Sequence, residues 1–136
     1  MKISKFSLKL ISVWLVLLTF QISGQQKSFK GNPDTAFAKA REMAFNKQRK
    51  QAQDSLLLIL TKYPDYLDVR SFLAITYSWD GDYEKARKEF SYILRKDPKR
   101  KTDWVAAINN ELWGETPFNA LKMVVTALEH YPRDTN

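Results

Sequence analysis

Apolar residues between positions 33 and 134 recur at helical spacing, in blocks that repeat every 34 positions. Leu73, Ala74 and Tyr77 fall on one face of a helix that ends at Asp80-Gly81-Asp82. Tyr83, Ala86, Phe90 and Ile93 or Leu94 form the stripe of a second helix, stopped by Asp97-Pro98. Each stop has a physical reason. Gly81 accepts the left-handed conformation that ends a helix, and Asp82 is placed to cap the next one. Proline lacks the amide that a continuing helix needs and disfavours helix in the residue before it. Five columns hold the same register: Pro64, Pro98 and Pro132; Ala52, Ala86 and Ala120; Leu60, Leu94 and Leu128; Leu56, Phe90 and Val124; Ala40, Ala74 and Ile108. They predict an all-α chain of three helix–turn–helix units, 33–66, 67–100 and 101–134. The small alanines let paired helices approach, and the larger residues fill the space beside them.

The outer units depart from the middle one in the turn. The first has Asn46-Lys47 there, with Asn46 as the expected left-handed residue. The third has Gly114-Glu115-Thr116-Pro117, which suits a helix start with Thr116 as cap and Pro117 as first helical residue. Stacked units touch only their neighbours, so the last helix lacks a cover. Apolar side chains among Leu121, Val124, Val125 and Leu128 are expected to make that end adhesive. Self-association through the third unit, or contact with a downstream domain, would bury them, at about 1.5–3 kcal/mol for each side chain.

Upstream of the repeats the pattern changes. Lys2, Lys5 and Lys9 precede the apolar run Leu10 to Phe20, and Ser23 and Gly24 follow it. That order predicts a secretory signal peptide over 1–24; the apolar run is shorter than the ~20 residues of a spanning helix. The polar stretch 25–32 reads as a linker. Removing the three leader lysines takes the net charge from +7 to +4. An exported chain with so modest an excess argues against nucleic acid as a partner. Cysteine is absent, which excludes disulfides and thiolate metal sites.

Leu73-Ala74, Tyr77, Gly81, Tyr83, Ala86, Phe90 and Pro98 resemble the tetratricopeptide repeat consensus, as do Trp104, Ala120, Ala127 and Pro132 in the third unit and Ala40, Ala52, Leu56 and Pro64 in the first. The resemblance implies an α-solenoid. A leader followed by such repeats, with the strings YPDYLDVR, YSWDGDYEKA and NNELW, also resembles the N-terminal region of the YaiO family of outer-membrane proteins. In that family the repeats precede a β-barrel, which implies a location in the periplasm or outer membrane of a Gram-negative-type bacterium. The chain then reads as an interaction module of the envelope or, alternatively, as a spacer or plug domain of a barrel protein, of which it is a fragment or short relative.

In tetratricopeptide proteins the first helix of each repeat lines a concave groove that binds protein or peptide. Carried onto this sequence, that implies a groove column of Phe45, Trp79 and Trp113, with Arg41, Ile75 and Asn109 one turn earlier. The helix starts offer Asp34, Asp68 and Thr102. Aromatics anchor interfaces because they bury much area at little entropic cost, while Arg41, Asn109 and Asn110 supply directional hydrogen bonds. The alternative is that the three aromatics pack on neighbouring repeats; Trp104, at a consensus core position, is read as packing. Nothing points to catalysis. His130 is a lone histidine near a helix end, no glycine-rich phosphate loop occurs among four glycines, and Asp80, Asp82 and Glu84 lack calcium-loop spacing and read as turn residues. The basic run 96–101 reads as a solvated corner. No cofactor, metal or enzymatic role is expected.

Overall fold

The computed structural model describes residues 28–131; the expected leader over 1–24, most of the linker, and Pro132 lie outside the described residues. Among those described there are six α-helices and no strand: α1 (Pro33–Phe45), α2 (Arg49–Lys62), α3 (Leu67–Trp79), α4 (Tyr83–Lys96), α5 (Lys101–Trp113) and α6 (Pro117–His130). Every boundary recurs 34 residues on, so the register read from apolar columns is also the register of the backbone. Helices pair as α1–α2, α3–α4 and α5–α6, and each hairpin packs on the next as a helical repeat array. The first helices of successive hairpins touch each other, α1 to α3 and α3 to α5, whereas the second helices do not. Closer spacing on one side curves a stack toward that side, so α1, α3 and α5 line its inner surface.

The core follows the columns. Ala40, Ala74, Ala52, Ala86, Leu56 and Phe90 are buried, and so are Leu60 and Leu94. Phe29, upstream of α1, is buried as well, its ring edge-on to Tyr63 at 6.1 Å, and it closes the outer side of the first hairpin. The columns loosen in the third hairpin: Val124 is half-buried and Leu128 is 48% exposed, because nothing among the described residues packs over them. Leu121 and Val125 are exposed as expected, but the most exposed side chain there is Phe118.

The turns correct three expectations, those placed on Asn46, Asp82 and Thr116. Asn46 is not the left-handed residue of the first turn; Lys47 is, with φ 64°. In the third turn Gly114 has negative φ, and Glu115 takes the left-handed position at φ 57°. Lys47, Gly81 and Glu115 therefore share one backbone role, and each hairpin closes with the same bond from the following amide to a carbonyl five residues back: Gln48 to Met43, Asp82 to Tyr77 and Thr116 to Glu111, all 2.9 Å. Gly114 sits in close quarters instead, since a Cβ there would meet Tyr83 Cβ and the Asn110 carbonyl oxygen at 3.2 Å. Asp82 and Thr116 occupy cap positions without capping. The Asp82 carboxylate goes to Lys85, and the Thr116 hydroxyl to Glu111. A genuine cap stands only at α1, where the Asn32 side chain accepts from the amides of Asp34 and Thr35.

A left-handed conformation costs a residue with a Cβ about 1–2 kcal/mol. Glu115→Gly, at an exposed position, is expected to raise the unfolding free energy by about 1 kcal/mol, which a rise in urea midpoint at unchanged slope would register.

Candidate functional site

The inner surface carries the column of aromatics. Phe45, Trp79 and Trp113 end α1, α3 and α5, and their side chains are 64%, 42% and 54% exposed. Exposure of three large rings in register on one concave face is the unusual feature, since single exposed apolar side chains are ordinary. Two of them also pack on each other across neighbouring hairpins, as the packing alternative expects. The Phe45 and Trp79 rings lie 5.7 Å apart across the first two hairpins. Phe72, buried on α3, supports both at 6.0 and 6.1 Å, the second contact edge-to-face. Phe37 continues the cluster against Phe72, and the Arg41 guanidinium lies 5.8 Å from the centroids of both Phe37 and Phe72. Arg41 is exposed, with its guanidinium beside these two rings.

Between α3 and α5 a cavity of about 240 Å³ opens, walled by Ile75, Trp79, Asn109 and Trp113 and floored by Phe90. Four of the six expected groove residues thus line one depression. Phe45 and Arg41 extend it along the surface through the Phe72 cluster. Phe72 itself was not foreseen, because positions 38 and 106 in its column hold alanine and the aromatic does not repeat.

Several polar groups singled out in the sequence, at the groove or, for Asp80, in a turn, bind other helices. Asn110 is fully buried; it accepts from Ser78 at 2.6 Å and donates to the Tyr83 carbonyl at 3.0 Å, joining the second hairpin to the third. Asp34 accepts from Tyr66, and Asp68 pairs with Arg100 at 2.7 Å. Asp80 is held by Arg49 and by Gln53 at 2.8 Å. Each of these bonds crosses between helices and leaves the donor or acceptor committed. Trp104 is buried and donates to the Pro98 carbonyl at 2.9 Å, and His130 stacks on it at 5.9 Å.

The centre of this joining network is Glu111. Its side chain is 2% exposed, yet it receives Arg87 from α4 at 2.7 Å, the Thr116 hydroxyl at 2.7 Å and the Asn119 amide at 3.2 Å. Burial works against ionisation, but these hydrogen bonds prevail and hold the carboxyl below its ordinary 4.5. On the outer side, where α4 and α6 diverge, a second cavity of about 490 Å³ runs from this network past Trp104 to Arg95, Lys122 and His130. Apart from Leu94, its residues belong to none of the five columns, so the repeat register did not point to it.

Among the described residues, no group of ligating side chains could hold a metal, and no helix is long and apolar enough to cross a membrane. No family model matches the chain, and no curated protein does.

Proposed function

We propose that the chain is an exported interaction module of the cell envelope, of the tetratricopeptide kind, that grips a protein or peptide segment along the surface of α1, α3 and α5. The carrying observation is the ladder of exposed rings, Phe45, Trp79 and Trp113, joined to a cavity that also holds Asn109. A ring face buries apolar side chains, the Asn109 amide can both donate to and accept from a peptide backbone, and the Arg41 fork suits a carboxylate. Together these fit an extended segment with apolar side chains and an acidic group. The leader-like 1–24 supports export, and the resemblance to the repeats that precede an outer-membrane barrel supports the envelope as its place.

The test is affinity capture of envelope partners with the intact chain and with Trp79→Ala/Trp113→Ala. Aromatic anchors contribute about 2 kcal/mol or more each, so the double variant is expected to lose partner recovery by at least tenfold while its helical circular dichroism is unchanged. Equal recovery at equal helicity would refute groove binding.

A further inference from the structure

We propose that the open face of the third hairpin is a self-complementary docking surface for a second copy of this chain, which packs its α6 antiparallel on the first. Six apolar side chains form the face: Val105 and Leu112 on α5, and Phe118, Leu121, Val125 and Leu128 on α6, each 48% exposed or more.

The same positions in the earlier hairpins show what the face is not built for. Ser71 and Ser78 stand where Val105 and Leu112 do, and they donate to Asp103 and Asn110 of the next hairpin. Gln53 and Arg87 stand where Leu121 does, and they donate to Asp80 and Glu111 of the next hairpin. These are the polar hooks that hold the following unit. In the third hairpin Val105, Leu112 and Leu121 replace these donors; in the first, Phe37 and Ala44 stand in the Ser71 and Ser78 columns, and Phe37 packs its ring on those of Tyr66 and, in the next unit, Phe72. The face calls for an apolar partner.

A second copy supplies one in matching register. Phe118, Leu121, Val125 and Leu128 are spaced three, four and three, the seam of two packed helices. Lys122 and Glu129, seven apart, flank that seam on one side and are both exposed. Antiparallel pairing about a two-fold axis near Val125 sets Leu121 against the partner's Leu128 and Val125 against the partner's Val125. The same pairing sets Lys122 beside the partner's Glu129, and symmetry makes this contact and that of Leu121 twice, with the Val125 contact once on the axis. At such exposure six side chains offer roughly 600 Å², of the order of the ~800 Å² per partner in a standard interface.

The chain has no cysteine, so one introduced thiol reports the contact. In cells producing the full chain, Val125→Cys is expected to give a disulfide-linked homodimer on mild oxidation, whereas Lys50→Cys on the first hairpin is not. Adding Lys122→Glu or Glu129→Lys to Val125→Cys is expected to lower the linked fraction roughly fivefold, by turning two attractive rim pairs repulsive. Both exchanges together restore it. Linkage no greater than that of Lys50→Cys, linkage to a different polypeptide, or indifference to the single charge reversals would each overturn the proposal. Val105 borders both this face and the groove cavity, but Lys122, Val125 and Glu129 do not line that cavity and the tryptophans are not on this face, so loss of partner capture in the tryptophan variant and loss of linkage here are separate results.

Discussion

Glu111→Ala is expected to lower the unfolding free energy by about 3 kcal/mol. Breaking a buried pair by removing one partner costs about 3–5 kcal/mol, because the remaining charge is stranded. The low end applies, since Arg87 is 31% exposed and regains water. Even so, Thr116 and Asn119 lose an acceptor, and the join between the second and third hairpins loses its centre. The contrast with the surface is large. Lys50–Asp54 and Lys85–Asp82 have side chains 49–78% exposed, and such pairs contribute about 0–1 kcal/mol. Denaturant titration of Glu111→Ala against Asp54→Ala separates the two cases; equal midpoints would show that the buried carboxylate is not structural.

The same residue sets a pH dependence. A carboxyl held below 4.5 in the folded chain is protonated more readily in the unfolded one. Its stabilisation is therefore complete above pH about 4.5 and is lost as pH falls through the lower folded value. Glu111→Gln cannot ionise, so its stability is expected to fall less steeply than that of the parent between pH 5 and the acid limit.

The other large effect is expected from Phe90→Ala. Phe90 is 1% exposed and floors the cavity between α3 and α5. Truncating a buried phenylalanine costs about 3–5 kcal/mol through lost transfer energy and the void left behind. Domains of this size have only about 5–15 kcal/mol in total, so the variant should lie near its unfolding threshold at ambient temperature. Phe90→Leu, which keeps most of the volume, should recover over half of the loss. A thermal scan in which alanine and leucine unfold together would show that Phe90 is not a packing residue.

The hairpin boundaries were legible because their signals are local. Pro64 and Pro98 end helices through their own covalent geometry, and the columns of alanine and leucine mark faces that a 3.6-residue period makes visible. The groove aromatics were legible for the same reason, as a column. The carboxylates were not. Glu111 shares its column with Met43 and Tyr77, and its partner Arg87 lies 24 positions away on another helix. Ser71 and Asp103, or Ser78 and Asn110, meet at a separation of 32, two short of the repeat, because first helices contact their neighbours obliquely. No column contains both members of such a pair. The left-handed turns at Lys47 and Glu115 escaped for a different reason. The turn geometry is imposed by the packed helices on either side, and there tertiary context overrides the preference of the residue itself.

Phe29 gives the array a direction. It seals the outer side of the first hairpin, and no described residue does the same for the third. When units bind only their neighbours, detaching a terminal one sacrifices a single interface and detaching an inner one sacrifices two. With one end of the described array plugged, thermal opening of a lone copy is expected to begin at α6 and travel toward α1, as a zip gives way from its loose end, and a second copy docked on α6 would remove that bias.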